Sequence, residues 1–338
     1  MKILVTGGAG YVGSILIPKL IEDGHYVKCL DRFFFGKTYL SSSKFKDNIE
    51  LIQDDIRWFK PEILNNVDVV IDLAALSNDP VGELNPEKTY EINHQGRARV
   101  AKLSKEAGVP RYILASSASI FGQVEGIADE NSEVFPLTAY SKANRKAEID
   151  NLALNDEGFT VTALRFSSLF GVSPRMRFDM AINEMVLELY KTKKITVRGK
   201  TNQRPFLHLK DAVNAYKLVL NASKEKIAGQ IFNVGADKQN YKIGDLAEEV
   251  AKSIDVNCTL ELGDNKDHRS YFTSFKKIQD VLSFSPEFDV AYGAKEMFTA
   301  LENHEISDSL ETFTLKWYKH IMSDEHLTKK FSIDGKLL

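Results

Sequence analysis

At 338 residues the chain is too long for one small core and suits a large domain with a smaller appendage. Its 43% hydrophobic and 27% charged residues, with a net charge of -3, leave no basic surplus to hold a phosphate backbone, which excludes nucleic acid as an expected partner. Its two cysteines, Cys29 and Cys258, are far apart and lack a CxxC or nearby histidine pattern, so neither a disulfide framework nor a metal site is indicated. The run 3–6 is too short for a signal peptide and no long apolar stretch follows, so no membrane span and a cytoplasmic location are expected.

Short β-rich runs alternate with helical stretches through the first half, the signature of a parallel sheet with crossover helices. Residues 2–6 read as strand, 12–23 as a helix ending at Gly24, and 26–31 as strand. Strands follow at 49–53, 67–73, 111–116 and 160–165, with helices at 86–107 and 140–154. The strand runs are continuously apolar, as expected when both faces are covered. Pro18 removes one hydrogen bond inside the first helix and predicts a bend. After Gly171 the pattern loosens into a helix at 178–191, a strand at 195–198, a helix at 211–221, a strand at 230–234, and small mixed elements to the end.

Thr6-Gly7-Gly8-Ala9-Gly10-Tyr11-Val12-Gly13 places glycines directly between the first strand and the first helix. Such a turn lets backbone approach a pyrophosphate seated at the positive end of the helix. Asp31 lies 18 residues after Gly13 at the end of the second strand, where a carboxylate accepts hydrogen bonds from an adenosine ribose and repels a 2'-phosphate. NAD is therefore favoured over NADP, although Arg32 beside it offers a phosphate a positive partner. The plainer alternative, Asp31 as a strand-end turn residue, leaves the glycines unexplained.

The chain resembles the extended short-chain dehydrogenase/reductase family of nucleotide-sugar epimerases, dehydratases and dehydrogenases. The resemblance covers nearly the whole chain and rests on the glycine turn, Asp31, Asp55-Ile56-Arg57, Asp72-Leu73-Ala74-Ala75, Ser116-Ser117-Ala118-Ser119-Ile120-Phe121-Gly122, Tyr140 with Glu148, and Arg204-Pro205-Phe206-Leu207-His208. It implies an α/β fold: a Rossmann-type doubly wound parallel sheet with a smaller mixed α/β C-terminal lobe. Residues 1–171 would bind the dinucleotide, with 205–235 packing back onto them, while 172–204 and 236–338 would hold a nucleotide-diphosphate sugar. Gly7, Gly10, Tyr11, Val12 and Gly13 would meet the cofactor together with Asp31 and Arg32. By the same resemblance Asp55 and Ile56 contact the adenine, and Leu73, Ala74, Ala75 and Ser116 line the dinucleotide. Asn93 braces the helix beneath the site, and helices 86–107 and 140–154 pair two copies into a homodimer.

In that family a tyrosine phenolate takes the proton from a sugar hydroxyl while hydride moves to the nicotinamide, and a serine or threonine holds the same oxygen. Tyr140 and Ser117 match those roles. Free phenol has a pKa of ~10, so a base near neutrality needs positive charge nearby. The family supplies it with a lysine four residues on, but here that position is Asn144. On a helix Lys142 points about 200° from Tyr140 and Lys146 about 240°, so neither replaces it. Three outcomes stay open: the oxidised nicotinamide is the sole positive field, turnover is slow with trapped cofactor, or Asn144 silences the site. The charge argument predicts that Asn144→Lys raises the rate at neutral pH and moves the optimum down.

Dehydratases of the family carry an acidic pair after the active-site serine or threonine. Ala118 and Ser119 stand there instead, which disfavours 4,6-dehydration and leaves Ser119 as a substrate contact. A diphosphate calls for arginines, and the candidates are Arg175, Arg177, Arg204 and Arg269. The resemblance assigns the diphosphate to Arg204 and Arg269, with Asn183 adding a side-chain amide, while His208 braces the lobe. The reading is an NAD-dependent oxidation at a sugar carbon, by resemblance C4, as epimerase or dehydrogenase. The rival is a weakened or inactive NAD-binding sensor or scaffold.

Overall fold

A computed structural model of the chain describes residues 1–264 and 269–338. Seven runs form its main sheet: β1 (Lys2–Thr6), β2 (Tyr26–Asp31), β3 (Ile49–Gln53), β4 (Val69–Asp72), β5 (Arg111–Ser117), β6 (Thr160–Phe166) and β7 (Gln230–Val234). Every pairing in it is parallel, and the spatial order is β7-β6-β5-β4-β1-β2-β3. Strand order reverses between β1 and β4, so a crevice opens beyond their carboxyl ends. This is the Rossmann-type doubly wound sheet.

Alternation of side chains along each strand explains why the runs read as continuously apolar. Val5 and Ile71 enter one core with Leu16 and Tyr216, while Leu4 and Val70 enter another with Val100 and Leu114 on the opposite face. All seven residues of β6 are buried. Helix α1 (Gly13–Glu22) follows the glycine turn and contains Pro18.

The stretch expected as one helix over 86–107 is helical but interrupted. Pro86–Tyr90 is an ordinary helix, Glu91–Gly96 is a wider π-type turn, and α2 (Arg97–Glu106) resumes the usual register. Helix α3 (Ala139–Leu152) begins one residue before the sequence reading because Thr138 caps it. Its hydroxyl accepts from the Ser141 amide at 3.1 Å, while the Thr138 amide donates to the Ser141 hydroxyl at 3.0 Å. That reciprocal cap fixes Tyr140 in the first turn.

In the second lobe, helices Ala181–Thr192, Ile243–Ile254 and Val290–Glu302 enclose Phe178, Val186, Leu246 and Met297. Burying each such side chain contributes roughly 1.5–3 kcal/mol. Short strands tie this lobe to the crevice. Gln203–His208, which carries Arg204, pairs with Ser168–Phe170 and Asn240–Lys242, and Ser270–Thr273 pairs with Gln123–Ala128 next to Arg269. The tail read as small mixed elements contains two helices, Thr314–Ser323 and Glu325–Phe331. Through Trp317, Tyr318 and Phe331 they pack on Phe34, Leu76 and Val81. Among the described residues no helix is long and apolar enough to cross a membrane.

Candidate active site

The glycine turn is dictated by close approach. Gly7 has φ +64°, and a Cβ there would lie 2.7 Å from the Ala74 backbone at the end of β4. A Cβ on Gly13 would lie 2.4 Å from the Gly8 carbonyl oxygen. Only glycine lets the turn close onto β4 and lets α1 start against it. Beside it lies a cavity of about 340 Å³ at the switch point of the sheet. Gly7, Gly10, Tyr11, Val12, Gly13, Asp31, Arg32, Asp55, Ile56, Leu73, Ala74, Ala75 and Ser116 all line it. A turn that admits backbone contact, with the Asp31 carboxylate beside it in the same cavity, suits a dinucleotide.

Asp31 is held by two backbone amides: Oδ2 accepts from Ala9 at 2.9 Å and Oδ1 from Phe33 at 2.7 Å. Burial pushes its carboxyl up, and these amides pull against that shift. Arg32 is engaged inside the protein, which differs from its expected role beside a phosphate. Its Nη1 donates to Asp55 at 2.7 Å and its Nη2 to the carbonyls of Phe331 and Lys336 at 2.7 and 3.0 Å. Burial alone would push the Asp55 carboxyl up, but the hydrogen bonds and charge of Arg57, with Arg32, hold it below its ordinary value. Asn93 does not line the cavity. Its side chain exchanges hydrogen bonds with the backbone of Leu76 at 2.8 and 3.0 Å, which braces the loop after β4.

Ser117, at the end of β5, and Tyr140, at the start of α3, both line the cavity, and the Ser117 hydroxyl accepts from the Ser119 amide at 3.2 Å. Burial pushes the Tyr140 phenol up and the charge of Asp79 adds to it; the nearby Ser117 side chain and the charges of Arg97 and Arg177 pull it down. Ser116 donates to Glu148 at 2.5 Å, and Glu148 also accepts from Arg165 at 3.0 Å through both carboxylate oxygens. That buried network ties α3 to β5 and β6.

Lys142 and Lys146 are exposed, and neither lines the cavity. Asn144 is buried, donates from Nδ2 to the Tyr140 carbonyl at 3.0 Å, and accepts at Oδ1 from Nη1 of Arg97 at 2.8 Å. Arg97 belonged to no motif read from the sequence. Nothing in its local pattern marks it, since its partner lies 47 residues away.

Ser119 also lines the cavity, and its buried hydroxyl has no partner among the described residues. Of the arginines, Arg175, Arg177, Arg204 and Arg269 all line the cavity, each differently anchored. Arg177 grips Asp179 at 2.9 and 3.0 Å and donates to Ser77 at 3.0 Å. Arg175 donates to Thr314 at 2.9 Å and lies 3.6 Å from the centre of the Phe35 ring; burial and the neighbouring Arg177 charge push its pKa down to about 10. Arg204 stacks 4.9 Å over Tyr271 and donates to the Arg269 carbonyl, while Arg269 pairs with Asp79. Asp267 and His268, which precede Arg269 in its motif, lie outside the described residues. Asn183 does not face the cavity: its amide links Gly171, the Tyr11 hydroxyl and the Arg177 carbonyl at 3.2, 2.8 and 2.7 Å. Asp79 and Tyr271 lie in the lining and were not singled out from sequence.

A doubly wound sheet whose switch-point cleft joins a glycine turn to a serine and a tyrosine defines the short-chain dehydrogenase/reductase class. The chain belongs to the NAD dependent epimerase/dehydratase family, whose model matches residues 3–235. It is 32% identical over 232 residues to UDP-glucuronic acid decarboxylase 1 of Danio rerio, a match covering 66% of this chain and 54% of that protein. The chain thus spans about half the length of that relative. It is 26% identical to UDP-glucose 4-epimerase of Lactobacillus helveticus over 94% of this chain and 97% of that one. Among solved structures, UDP-glucuronic acid 4-epimerase from Bacillus cereus, in complex with UDP-glucuronic acid and NAD, has the same fold with a TM-score of 0.80 at 22% identity. That likeness covers 90% of this chain and 100% of the other.

Proposed function

We propose that the chain oxidises C4 of a nucleotide-diphosphate sugar with NAD, as an epimerase or a net dehydrogenase. The observation that carries this reading is that Tyr140 and Ser117 line the same cavity as the glycine turn and Asp31. Gly7, Gly10 and Gly13 with the start of α1 hold the pyrophosphate of NAD, and Asp31 holds its adenosine ribose. NAD, when bound, supplies the hydride acceptor.

Tyr140, ionised, removes the proton of the C4 hydroxyl, and Ser117 donates a hydrogen bond to the same oxygen. Loss of hydride from C4 leaves a ketone, so the sugar is oxidised by two electrons as NAD is reduced. Return of hydride to the opposite face, with the proton coming back from Tyr140, completes an epimerisation. Ser119 contacts the sugar. Arg204 and Arg269 neutralise the diphosphate, and Arg175 and Arg177 line the sugar end.

Uridine is the base to try first, because relatives at both ends of the comparison act on UDP sugars by name. Ala118 and Ser119 at the positions of the dehydratase acids disfavour 4,6-dehydration. A second reading, decarboxylation of a uronic acid after the same C4 oxidation, is favoured by the Danio rerio relative. Two copies pair through helices 86–106 and 139–152. The test is absorbance near 340 nm on adding UDP-glucose, UDP-galactose and UDP-glucuronic acid to the NAD-loaded protein. Reduction of cofactor by one of them is expected; binding of NAD with no response to any nucleotide sugar would leave the sensor reading instead.

A further inference from the structure

Arg97 is 1% exposed yet lines the cavity beside Tyr140 and Asn144. A buried guanidinium must satisfy all its donors, and its bonds here are directional. Nε donates to the Asp72 carboxylate at 3.1 Å, Nη2 to the carbonyls of Asp72 and Ala115, and Nη1 to Asn144 at 2.8 Å. Three of these four bonds anchor Arg97 to the ends of β4 and β5. The fourth reaches α3 one turn below Tyr140, at the residue where a lysine would be expected. The π-type turn Glu91–Gly96 immediately precedes Arg97 and resets the register of the helix that presents it. Arg99, two residues on, reaches the carbonyls of Ile56 and Phe59 instead.

The identity of residue 144 follows from this contact. A lysine there would set two cations within hydrogen-bond distance in a buried site, whereas an amide offers the guanidinium an acceptor and turns its own N–H to the main-chain carbonyl of Tyr140. Asn144 and Arg97 are therefore two halves of one exchange. We propose that Arg97, docked on Asn144 one helical turn from Tyr140 in the same cavity, supplies the fixed positive charge that favours the Tyr140 phenolate, so that the cation is delivered from α2 and not from α3. This rests on the reading of Tyr140 as the base. Arg97 is a positioning residue, since it acts on Tyr140 by its field while Asn144 helps to hold it in place.

The other groups facing Tyr140 are Asp79, itself paired with Arg269; Arg177, paired with Asp179; the Ser117 hydroxyl; and the phenols of Tyr216 and Tyr271. Asp72 lies behind Arg97 and offsets part of its charge. The direction of the effect is unchanged, because the field of Arg97 lowers the cost of ionising Tyr140.

The test follows ionisation of Tyr140 directly in the NAD-loaded protein, by NMR of tyrosine labelled at Cζ with carbon-13, the signal being assigned by its loss in Tyr140→Phe. Arg97→Met is compared with Arg97→Lys, with Arg97→Met/Asp72→Asn, which leaves no unpaired buried carboxylate, and with Arg97→Met/Asn144→Lys. Arg97→Met and its Asp72→Asn companion are expected to move the midpoint alkaline by about one pH unit, and Arg97→Met/Asn144→Lys to bring it back. The rising limb of the kcat profile should move in parallel, with activity at neutral pH about tenfold lower. Arg97→Lys should stay near the parent midpoint. An unmoved midpoint in folded, NAD-binding Arg97→Met/Asp72→Asn would overturn the proposal, as would failure of Asn144→Lys to restore it. Since no sugar is needed, a wrong substrate assignment would leave the ionisation result intact.

Discussion

Arg32 and Asp55 meet through Nη1 and Oδ2 at 2.7 Å, both side chains buried at the adenosine end of the cavity. With Nη2 also held by two carbonyls, the guanidinium is anchored away from solvent, and in the proposed binding mode the carboxylate of Asp31 is left to meet the ribose. Nearby Asp55 is likewise held, by Arg32 and Arg57.

In that binding mode, discrimination against NADP is expected to rest on Asp31. Asp31→Ser is expected to weaken NADH and strengthen NADPH, changing the ratio of their dissociation constants by about tenfold or more. Fluorescence titration with both reduced cofactors measures it; an unchanged ratio would mean that another residue sets the preference.

Replacing the base gives a different signature. Tyr140→Phe should lower hydride transfer by roughly 10²–10⁴-fold while leaving NAD binding intact. Since burial pushes the Tyr140 phenol up, the parent rate should climb with pH through the alkaline side of neutrality, as the deprotonated form accumulates. A stopped-flow profile that is flat with pH would contradict ionisation of Tyr140 as the controlling step.

Glu148 is fully buried and accepts from Ser116, Arg145 and Arg165. Glu148→Gln leaves Arg165 without its counter-charge and should cost about 3 kcal/mol of stability, read from denaturant midpoints. A loss well below 1 kcal/mol would show the network to be replaceable.

On the outer side of α3, Ile149 is 52% exposed, a large apolar side chain on the helix that the family resemblance assigns to a dimer. Ile149→Arg is expected to convert a dimer to a monomer in light scattering. A parent protein that is already monomeric would refute the four-helix pairing.

Much of this was legible from the chain because the signals were local. The strands of the main sheet and the glycine turn announce themselves through apolar runs and steric demands within a few residues, and Tyr140 through its place in a family motif. Short strands such as Ser168–Phe170 carry too few residues to show a period, and the amphipathic helices Thr314–Ser323 and Glu325–Phe331 owe their place to Phe34, almost three hundred residues earlier. Site residues divide the same way. Arg177 and Asn183 lie in one recognisable segment, but only folding reveals that Asn183 holds Tyr11 and Gly171 and does not face the cavity. The gap at Asn144 was visible, whereas the guanidinium that meets it was not, because contact between α2 and α3 is not written in either helix alone.

The central claim is oxidation at C4, and isotope transfer tests it most directly. NAD-loaded protein is mixed with UDP-glucose carrying deuterium at C4, and with UDP-galactose and UDP-glucuronic acid labelled likewise, and the bound cofactor is recovered for mass spectrometry. Deuterium in the reduced nicotinamide from at least one of these sugars is the predicted result; reduced cofactor free of deuterium, with the label still on the sugar, would contradict it.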